Sequence, residues 1–327
     1  MRALLKRSET VIFLVLLAAV IITGLLNPAA WQLGNIFSLL RANVITGIMA
    51  LGVLVVMISG GIDISVPYFA MAAMYVTLLG MLKTGYAGIL LPFVVSTVIG
   101  LALGGLNAFF VHTVRMIPMI VTLGTGTMVR GFLLGVIGTS NINRDQMPGQ
   151  LIDFASTALV KMQAPDGSTI ELSAMVLIYV ALALVVHFIL AHTMIGRGLY
   201  AMGGDREAAR RAGFNVRRIT WFAYCLSGAL AGFAGLLYVS MSWLANPRDL
   251  AGTEMDLLAA VVLGGASIFG GRGSVLGTML GVFMLVLINN SLIILHVSTT
   301  WQRVAVGLIV ITACAVTAWR DRRAAVA

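Results

Sequence analysis

The chain has 327 residues, of which 60% are hydrophobic and only 10% are charged, and its mean hydropathy is +1.01. A water-soluble domain of this size has no use for so much apolar surface. The formal net charge is +9, but the basic residues fall in short breaks between apolar runs, which is typical of membrane topology rather than of nucleic-acid binding. The composition therefore excludes a soluble globular protein and predicts a multi-pass membrane protein with no nucleic-acid partner.

Ten apolar runs follow one another along the chain. The first resembles the start of a signal peptide, but no small-residue cleavage site follows it, so we expect it to be retained. The predicted spans are 11–26, 43–59, 66–82, 87–112, 117–137, 171–192, 219–243, 257–267, 275–295 and 301–319. A membrane crossing needs about 20 apolar residues, so the eighth run is expected to begin nearer Asp249 or to be a broken element. The predicted fold class is all-α: a polytopic helical bundle of about ten transmembrane helices, forming a single transmembrane domain over 1–327.

The lysines and arginines distinguish the two sides of the membrane. Ten crossings place both termini on one side, and fourteen of the 21 basic residues fall in loops on that side. We expect that side to be the cytoplasm, because cytoplasmic loops carry an excess of positive charge. The long loop of about 138–170 then lies outside, and apolar residues at helical spacing in it predict an amphipathic helix over 151–162. The expected apolar face consists of Leu151, Phe154, Ala155, Ala158, Leu159 and Met162.

The sequence lacks the motifs of most enzymes. No phosphate-binding GxxxxGK[ST] motif occurs among its three lysines, so the chain is not expected to bind and split ATP by that mechanism. Metalloprotease, hydrolase and zinc motifs are also missing, and the four histidines are scattered singly. Cys225 and Cys314 lie within apolar runs, where small core residues are expected. We therefore predict no catalytic residue, no metal site and no cofactor.

A first polar stretch, GGIDISVPYF, lies between the second and third apolar runs. Gly60 and Gly61 weaken the preceding helix, and Pro67 suits the first turn of the next one. A charge at the membrane centre costs about 2.5–3.5 kcal/mol on insertion scales, so Asp63 needs an explanation. Either the stretch is a short cytoplasmic turn capped by Asp63, or it is a helix break that shapes a transport path.

Two further stretches combine glycines with polar residues. VTLGTGTMVRGF, residues 121–132, carries Thr122 and Thr125, which at this spacing are typical of helix packing in membranes. Its Arg130 is expected to reach the outer surface. EMDLLAAVVLGGASIFGGRGSVLG, residues 254–277, has glycines suited to tight turns and close helix contacts. A weak internal repeat relates the two halves, with Gly60 and Asn107 in the first corresponding to Gly264, Gly265 and Asn289 in the second.

The stretch GRGLYAMGGDREAARRAGFNVRR, residues 196–218, carries six arginines in the predicted cytoplasmic loop of about 193–218. Gly203 and Gly204 end the preceding helix, and Asp205 is a good N-cap for a turn through Ala212. Acidic Glu207 near its start, and Arg210 and Arg211 near its end, complement the helix dipole. Gly213 supplies a left-handed stop. Besides a solvated loop that sets topology, this pattern indicates a short exposed helix that docks a cytosolic partner.

At these places the chain resembles the permease subunit of bacterial sugar importers of the ATP-binding-cassette class, in the ribose-type family. The resemblance is carried by the following stretches: SGGIDISV (59–66), IPMIVTLGTGTMVRG (117–131), GRGLYAMGGDREAARRAGFNVRRI (196–219), EMDLLAAVVLGGASIFGGRGSVLGTMLG (254–281) and NNSLIILHVSTTWQRVAVGLIV (289–310). They occur in order over nearly the whole chain. Permeases for autoinducer-2 belong to the same family, and those for nucleosides and branched-chain amino acids are more distant.

The resemblance implies a set of partners. Two permease chains, identical or merely similar, would form the channel in the inner membrane and contact its lipid. Two cytoplasmic ATPase subunits would bind the ATP, and a periplasmic binding protein would deliver the solute. The coupling residues toward the ATPase would be Gly204, Asp205, Glu207, Ala208, Ala209, Arg210 and Gly213. Candidates for the translocation path would be Gly60, Gly61, Asp63, Ser65, Asn107, Thr122, Thr125, Gly264, Gly265 and Asn289. Candidates for docking the binding protein would be Arg144, Asp153 and Lys161.

Three alternatives stay open at this point. The transported solute is expected to be a sugar, but autoinducer-2, a polyol, a nucleoside or a branched-chain amino acid would fit a permease of this kind. A stand-alone secondary transporter would need a relay of charges within the bilayer, for which Asp63 and Arg130 are the candidates. An intramembrane transferase would need paired acids facing a cavity, for which Glu254 and Asp256 are the candidates.

Overall fold

The computed structural model describes residues 8–163 and 169–295, with a few separate residues between 297 and 311. Short 3₁₀ turns occur at Pro28–Trp31 and Arg144–Gln146, and a π-helical turn, Leu133–Ile137, extends the fifth helix. The helices, numbered in chain order, are α1 (Ser8–Leu26), α2 (Leu33–Ile58), α3 (Val66–Thr84), α4 (Leu90–His112), α5 (Pro118–Phe132), α6 (Gly149–Ala155), α7 (Met175–His192), α8 (Met194–Gly204), α9 (Arg206–Arg211), α10 (Val216–Ser242), α11 (Glu254–Leu263) and α12 (Val275–Ile294). The strands are β1 (Ala158–Gln163) and β2 (Thr169–Ser173).

The helical membrane fold is confirmed, but ten crossings are not found within the described residues. Seven helices there are long and apolar enough to cross a membrane: α2, α3, α4, α5 with its π-helical turn, α7, α10 and α12. A shorter apolar segment, Phe13–Leu25, lies in α1. The eighth predicted run is α11, which has only 10 residues and begins at Glu254 rather than near Asp249. The predicted span 301–319 lies almost wholly outside the described residues.

Helix α10 lies at the centre of the bundle, where it packs against α2, α3 and α4. Its contact with α4 is made backbone to backbone, because glycines face each other across the crossing. A Cβ on Gly228 would overlap Gly100 O, and one on Gly232 would overlap Ser96 O. Ser96 Oγ also donates a hydrogen bond of 2.6 Å to Gly232 O. Small residues that allow such close approach are typical of helix pairs in membranes.

The loops gather at two ends of the bundle. At one end Gly60 lies against Gly203 and Gly270. At the other end Ile142 pairs with Ala245, and Tyr75 donates a hydrogen bond to Ser140 O. We name the first, which includes the turns at 112–117 and 193–215, the arginine-rich end, and the second the opposite end. Helix α2 connects them, and its 26 residues at 1.5 Å per residue separate the two ends by about 39 Å.

The predicted outer helix over 151–162 is wrong beyond Ala155. Helix α6 ends there, because the hydroxyls of Ser156 and Thr157 both donate to Asp153 O and close the last turn. The chain continues as β1, which pairs antiparallel with β2. Leu151 and Ala155 are buried as expected, whereas Leu159 and Met162 are exposed. The expected start of the next helix at 171 is likewise replaced by β2, so α7 begins at Met175.

Candidate functional site

The arginine-rich stretch folds into a short exposed helix, α9, with the predicted N-cap. The carboxylate of Asp205 accepts hydrogen bonds from Glu207 N at 2.8 Å and from Ala208 N at 3.0 Å. These two donors hold the pKa of Asp205 below its ordinary value, because they stabilise the charged carboxylate. Local sequence alone therefore fixes the start of α9.

The C-terminus of α9 also ends as predicted, in a left-handed glycine. Gly213 has φ +87°, and its N–H donates to Arg210 O at 3.0 Å. Phe214 N donates to Ala209 O at 3.1 Å, which completes a Schellman motif. Glu207 lies 2.7 Å from Arg210 and 3.6 Å from Arg211, but all three side chains are exposed, so these ion pairs add little stability. The backbone groups at both ends of α9 are therefore satisfied within the chain.

The two alanines of α9 do not face the same way. Ala208 is exposed, while Ala209 is only 3% exposed and packs into the apolar core of the chain. The expectation that both alanines face a partner is therefore wrong for Ala209. A helix of six residues that rests on the bundle must bury one face, and Ala209 is the residue on that face. Of the other predicted coupling residues, Gly204, Asp205, Glu207, Arg210 and Gly213 are all exposed.

The end of helix α8, which precedes α9, packs against the end of α2. A Cβ on Gly203 would overlap Ile58 O, the last carbonyl of α2, and would also meet Gly271 N. These two atoms are themselves hydrogen-bonded, with Gly271 N donating to Ile58 O at 2.9 Å. Gly60, two residues after Ile58, has φ +84° and lies against Gly203. Three separate parts of the chain thus meet in one backbone contact, two residues before the N-cap of α9.

The stretch after Gly60 is a true helix break, and it folds back into the bundle rather than into solvent. Asp63 is 3% exposed and Ser65 is fully buried. One carboxylate oxygen of Asp63 accepts from Ser65 N at 3.0 Å and from Ser65 Oγ at 2.5 Å. The other accepts from Ser227 Oγ of α10 at 2.8 Å. Asp63 therefore bonds both within its own turn, through Ser65, and to α10, through Ser227.

The break continues into a hydrogen-bonded network with α4 and α5. Asn107 Nδ2 donates to Ser65 Oγ at 2.8 Å, and Thr125 Oγ1 donates to Asn107 Oδ1 at 2.6 Å. Thr122 Oγ1 donates to Ile62 O at 3.0 Å and accepts a longer bond from Ile64 N. The structure thus brings together the predicted path residues of the first half of the chain, which are buried and bonded to one another. A solute would have to break these bonds to reach them.

The predicted path residues of the second half lie elsewhere. Gly264 ends α11 and packs so closely on α12 that a Cβ would lie 2.5 Å from Gly277 O, and Gly265 takes φ +86° in the turn that follows. Asn289 lines a cavity of about 610 Å³ among α2, α10, α11 and α12, toward the opposite end. Arg41, Tyr238 and Asp256 line the same cavity, whose wall is mostly apolar. The two halves therefore do not form one site within this chain.

The three predicted docking charges all lie at the opposite end, in different settings. Arg144 is placed over the ring of Trp243, 4.3 Å from its centroid. Lys161 on β1 lies 3.3 Å from Glu171 on β2, and both side chains are partly exposed. Asp153 is exposed on α6.

Two polar contacts of this structure were not predicted. Ser227 lies inside a long apolar run, and nothing in its local sequence marks it as the partner of Asp63. Tyr68 donates a hydrogen bond of 3.1 Å to Glu254, with Arg130 also nearby. Arg130 and Glu254 were each singled out in the sequence, but nothing there indicated that Tyr68 joins them.

Comparison with known proteins gives one consistent family. The model of a family described as branched-chain amino acid transport system / permease component matches residues 35–314. The ribose import permease proteins of Haemophilus influenzae and Bacillus subtilis are 32% and 34% identical to this chain, each over 92% of it and 90% of the relative. The autoinducer 2 import system permease protein of Klebsiella pneumoniae is 30% identical over 95% of this chain and 86% of the relative. No solved structure matches the chain. The chain therefore belongs to this family of transport-system permease components, and it is a membrane transport subunit rather than an enzyme.

Proposed function

We propose that the chain is the membrane-spanning subunit of a binding-protein-dependent importer for a sugar or sugar-like solute. A separate ATPase subunit binds ATP and docks on α9 from the cytoplasm. A binding protein delivers the solute at the opposite end, and a second permease chain, identical or similar, completes the channel. Relatives named for ribose import and for autoinducer 2 import support the solute class.

The observation that carries the proposal is the placement of α9. It is closed at both ends and exposed on the face that carries Ala208. It is linked through Gly203 to the end of α2, just before the break that holds Asp63. A force applied to α9 by an ATPase is therefore passed through α8 to the end of α2 by a backbone contact, and from there to α10 by the bond between Asp63 and Ser227.

The proposed orientation follows from charge. The arginine-rich end faces the cytoplasm, and both termini lie on that side of the inner membrane. The turns at this end carry Arg115, the six arginines of 196–218 and Arg272, whereas the opposite end carries fewer basic residues. A cysteine introduced at Asp205, with Cys225 and Cys314 replaced, is then inaccessible to an impermeant reagent added outside intact cells. Labelling from outside would show that the arginine-rich end faces the periplasm instead.

We assign different roles to the two groups of predicted path residues. The network of Asp63, Ser65, Asn107, Thr122 and Thr125 holds the helix break in place, because its hydrogen bonds are made within the chain. The cavity that contains Asn289 has a mostly apolar wall with a few polar groups. It is the better candidate for early solute contact, since solute sites are concave, mostly apolar and carry a few polar groups.

Uptake by a reconstituted system tests the proposed function. The permease is placed in vesicles with its ATPase subunit, and binding protein loaded with labelled D-ribose is added outside. We expect uptake that requires ATP inside and stops when the phosphate loop of the ATPase is disabled. Uptake driven by an ion gradient without the ATPase would instead show a secondary transporter. If labelled autoinducer-2 enters and ribose does not, the protein is still an importer subunit, but its solute is not ribose.

A further inference from the structure

A second cavity, of about 800 Å³, lies at the arginine-rich end between the end of α4 with the turn that follows it, α9 and the start of α10. The turn that joins α4 to α5 forms one wall, and α9 with the start of α10 forms the other. Four of the ten residues that line it are arginines: Arg115, Arg206, Arg210 and Arg217. Its size is within the range of about 300–1,000 Å³ that is typical of small-molecule sites.

Most of this positive charge is not neutralised by the residues that the structure describes. Glu207, the acid that lines the cavity, is already paired with Arg210 and Arg211. Among the described residues no acidic side chain lies within ion-pair distance of Arg115, Arg206 or Arg217. All three line the same cavity, so their charges are gathered around one space. Three adjacent guanidinium groups attract an anion, and they bind phosphate oxygens especially well.

The backbone at Arg115 adds an independent observation. Arg115 has φ +61° in the tight turn between α4 and α5, one of two non-glycine residues with positive φ among those described. That conformation costs a residue with a side chain roughly 1–2 kcal/mol relative to glycine. Strained backbone of this kind is concentrated at functional sites. The strain is consistent with a role for the guanidinium that this turn carries into the cavity.

The surroundings of the cavity favour a lipid over a soluble anion. Met116 lines the cavity, and the chain around it carries further exposed apolar side chains: Phe109 at the end of α4, Val114 and Ile117 in the turn, and Ile120 at the start of α5. An anion that continues into hydrocarbon chains would satisfy both the arginines and this apolar surface. A second copy of the chain fits less well, because the same three arginines would face one another across a symmetric contact.

We propose that this cavity binds the headgroup of an anionic phospholipid of the cytoplasmic leaflet, with its acyl chains along the adjoining ends of α4 and α5. The phosphate would lie among Arg115, Arg206 and Arg217 and so connect α9 to the α4–α5 turn. Ala208 does not line the cavity, so a lipid bound there leaves the proposed ATPase contact at Ala208 open. Basic pockets between transmembrane helices on the cytoplasmic side are known to bind anionic headgroups.

Retained lipid on the purified permease tests the proposal without the ATPase or the binding protein. The full chain is placed in nanodiscs of equal parts phosphatidylglycerol and phosphatidylcholine, extracted, and examined by native mass spectrometry. We expect preferential retention of phosphatidylglycerol by the wild type. At about fivefold per arginine, the triple variant R115Q/R206Q/R217Q should lose the preference by on the order of 100-fold. R197Q/R211Q/R218Q is the matched control, because it removes the same charge from the same end but outside the cavity.

Each other outcome overturns the proposal. Equal loss in the control variant would show a diffuse surface potential without a site. Equal retention of both lipids by the wild type would show no anion preference. If millimolar inorganic phosphate protects the lipid-free permease against heat as well as phosphatidylglycerol does, the site takes a soluble anion. If the triple variant keeps its lipid but no longer co-purifies with the ATPase, the arginines are a protein contact. Should the triple variant not fold, Arg115→Gln alone can be compared with the wild type. Its preference for phosphatidylglycerol should fall about fivefold.

Discussion

Gly203, two residues before the N-cap of α9, packs directly against the carbonyl of Ile58, the last residue of α2. No side chain separates the two, and the same carbonyl accepts a hydrogen bond from Gly271 N. The helix break with Asp63 begins immediately after this contact. A displacement of α9 that moves the end of α8 therefore acts on the end of α2, because packed backbone transmits strain rather than absorbing it.

We expect Gly203→Ala to destabilise the protein and to weaken the link between α9 and α2. The added methyl group would overlap Ile58 O and Gly271 N, and overpacking of this kind costs about 1–3 kcal/mol. Gly204→Ala is the matched control, because nothing lies within 4 Å of a Cβ there. The free energy of unfolding of both variants in mixed micelles is the measurement. Equal stability of the two would show that the contact at Ile58 is loose.

Much of α9 was predictable from the sequence, because its signals are local. An aspartate at the N-cap, an acid in the first turn, arginines in the last and a glycine after it all lie within nine residues. The helix break at Gly60 and the restart at Pro67 were predictable for the same reason. Such features need no partner from elsewhere in the chain, so sequence spacing describes them well.

Features that depend on distant parts of the chain were not predictable. Ser227 is bonded to Asp63 across 164 positions, and a serine in an apolar helix has no local mark of that role. Strand β1 was assigned to a helix because its apolar residues keep a helical spacing, whereas its pairing with β2 decides its conformation. The inward face of α9 at Ala209 is set by the bundle beneath it, which the local pattern does not show.

The two alanines of α9 allow a test of the docking proposal. Ala208→Trp should leave the stability of the permease within about 0.5 kcal/mol, since the side chain is exposed, but should abolish co-purification of the ATPase. Ala208→Ser is the small control, which should retain it. Ala209→Trp should instead destabilise the permease itself, because Ala209 is buried. A fully coupled Ala208→Trp variant would show that the ATPase does not dock on this face.

The cap of α9 has a defined pH dependence. The pKa of Asp205 lies below its ordinary value of 3.8 because Glu207 N and Ala208 N donate to the carboxylate. The stabilisation of α9 by the charged Asp205 is therefore complete when the pH is above the ordinary pKa of aspartate. It is lost as the pH falls through the lowered pKa of Asp205. Amide hydrogen exchange at Ala208, corrected for its intrinsic rate, should accelerate below about pH 4. Asp205→Asn should cap the helix without this pH dependence. If the wild type and Asp205→Asn show the same pH profile, the carboxylate of Asp205 does not cap α9.

Charge-reversal variants test whether the binding protein docks at the opposite end. Lys161→Glu places two acids opposite each other on β1 and β2, whereas Lys161→Glu with Glu171→Lys restores the pair in reverse. Rim charges act mainly on association rate and salt dependence. We expect the single variant to slow association of the loaded binding protein several-fold at low salt. If the double variant regains the wild-type rate, the pair only maintains the strands; if it stays slow, Lys161 contacts the binding protein.

The bond between Asp63 and Ser227 decides whether the polar network supports the fold or contacts solute. Asp63→Ala leaves Ser65 N, Ser65 Oγ and Ser227 Oγ without their acceptor in a buried site, and each unsatisfied group costs about 1–3 kcal/mol.

Asp63→Ala, Ser227→Ala and the double variant form a cycle, and residues in direct contact should show a coupling energy of about 0.5–3 kcal/mol. If the network holds the break, uptake falls in proportion to the folded protein, and the KM for the loaded binding protein does not change. Asp63→Asn serves as the shape-conserving control, since it keeps one oxygen acceptor for the serines. A variant of normal stability with an altered KM or solute preference would instead place Asp63 in the translocation path, and the assignment of this network to the fold would be wrong.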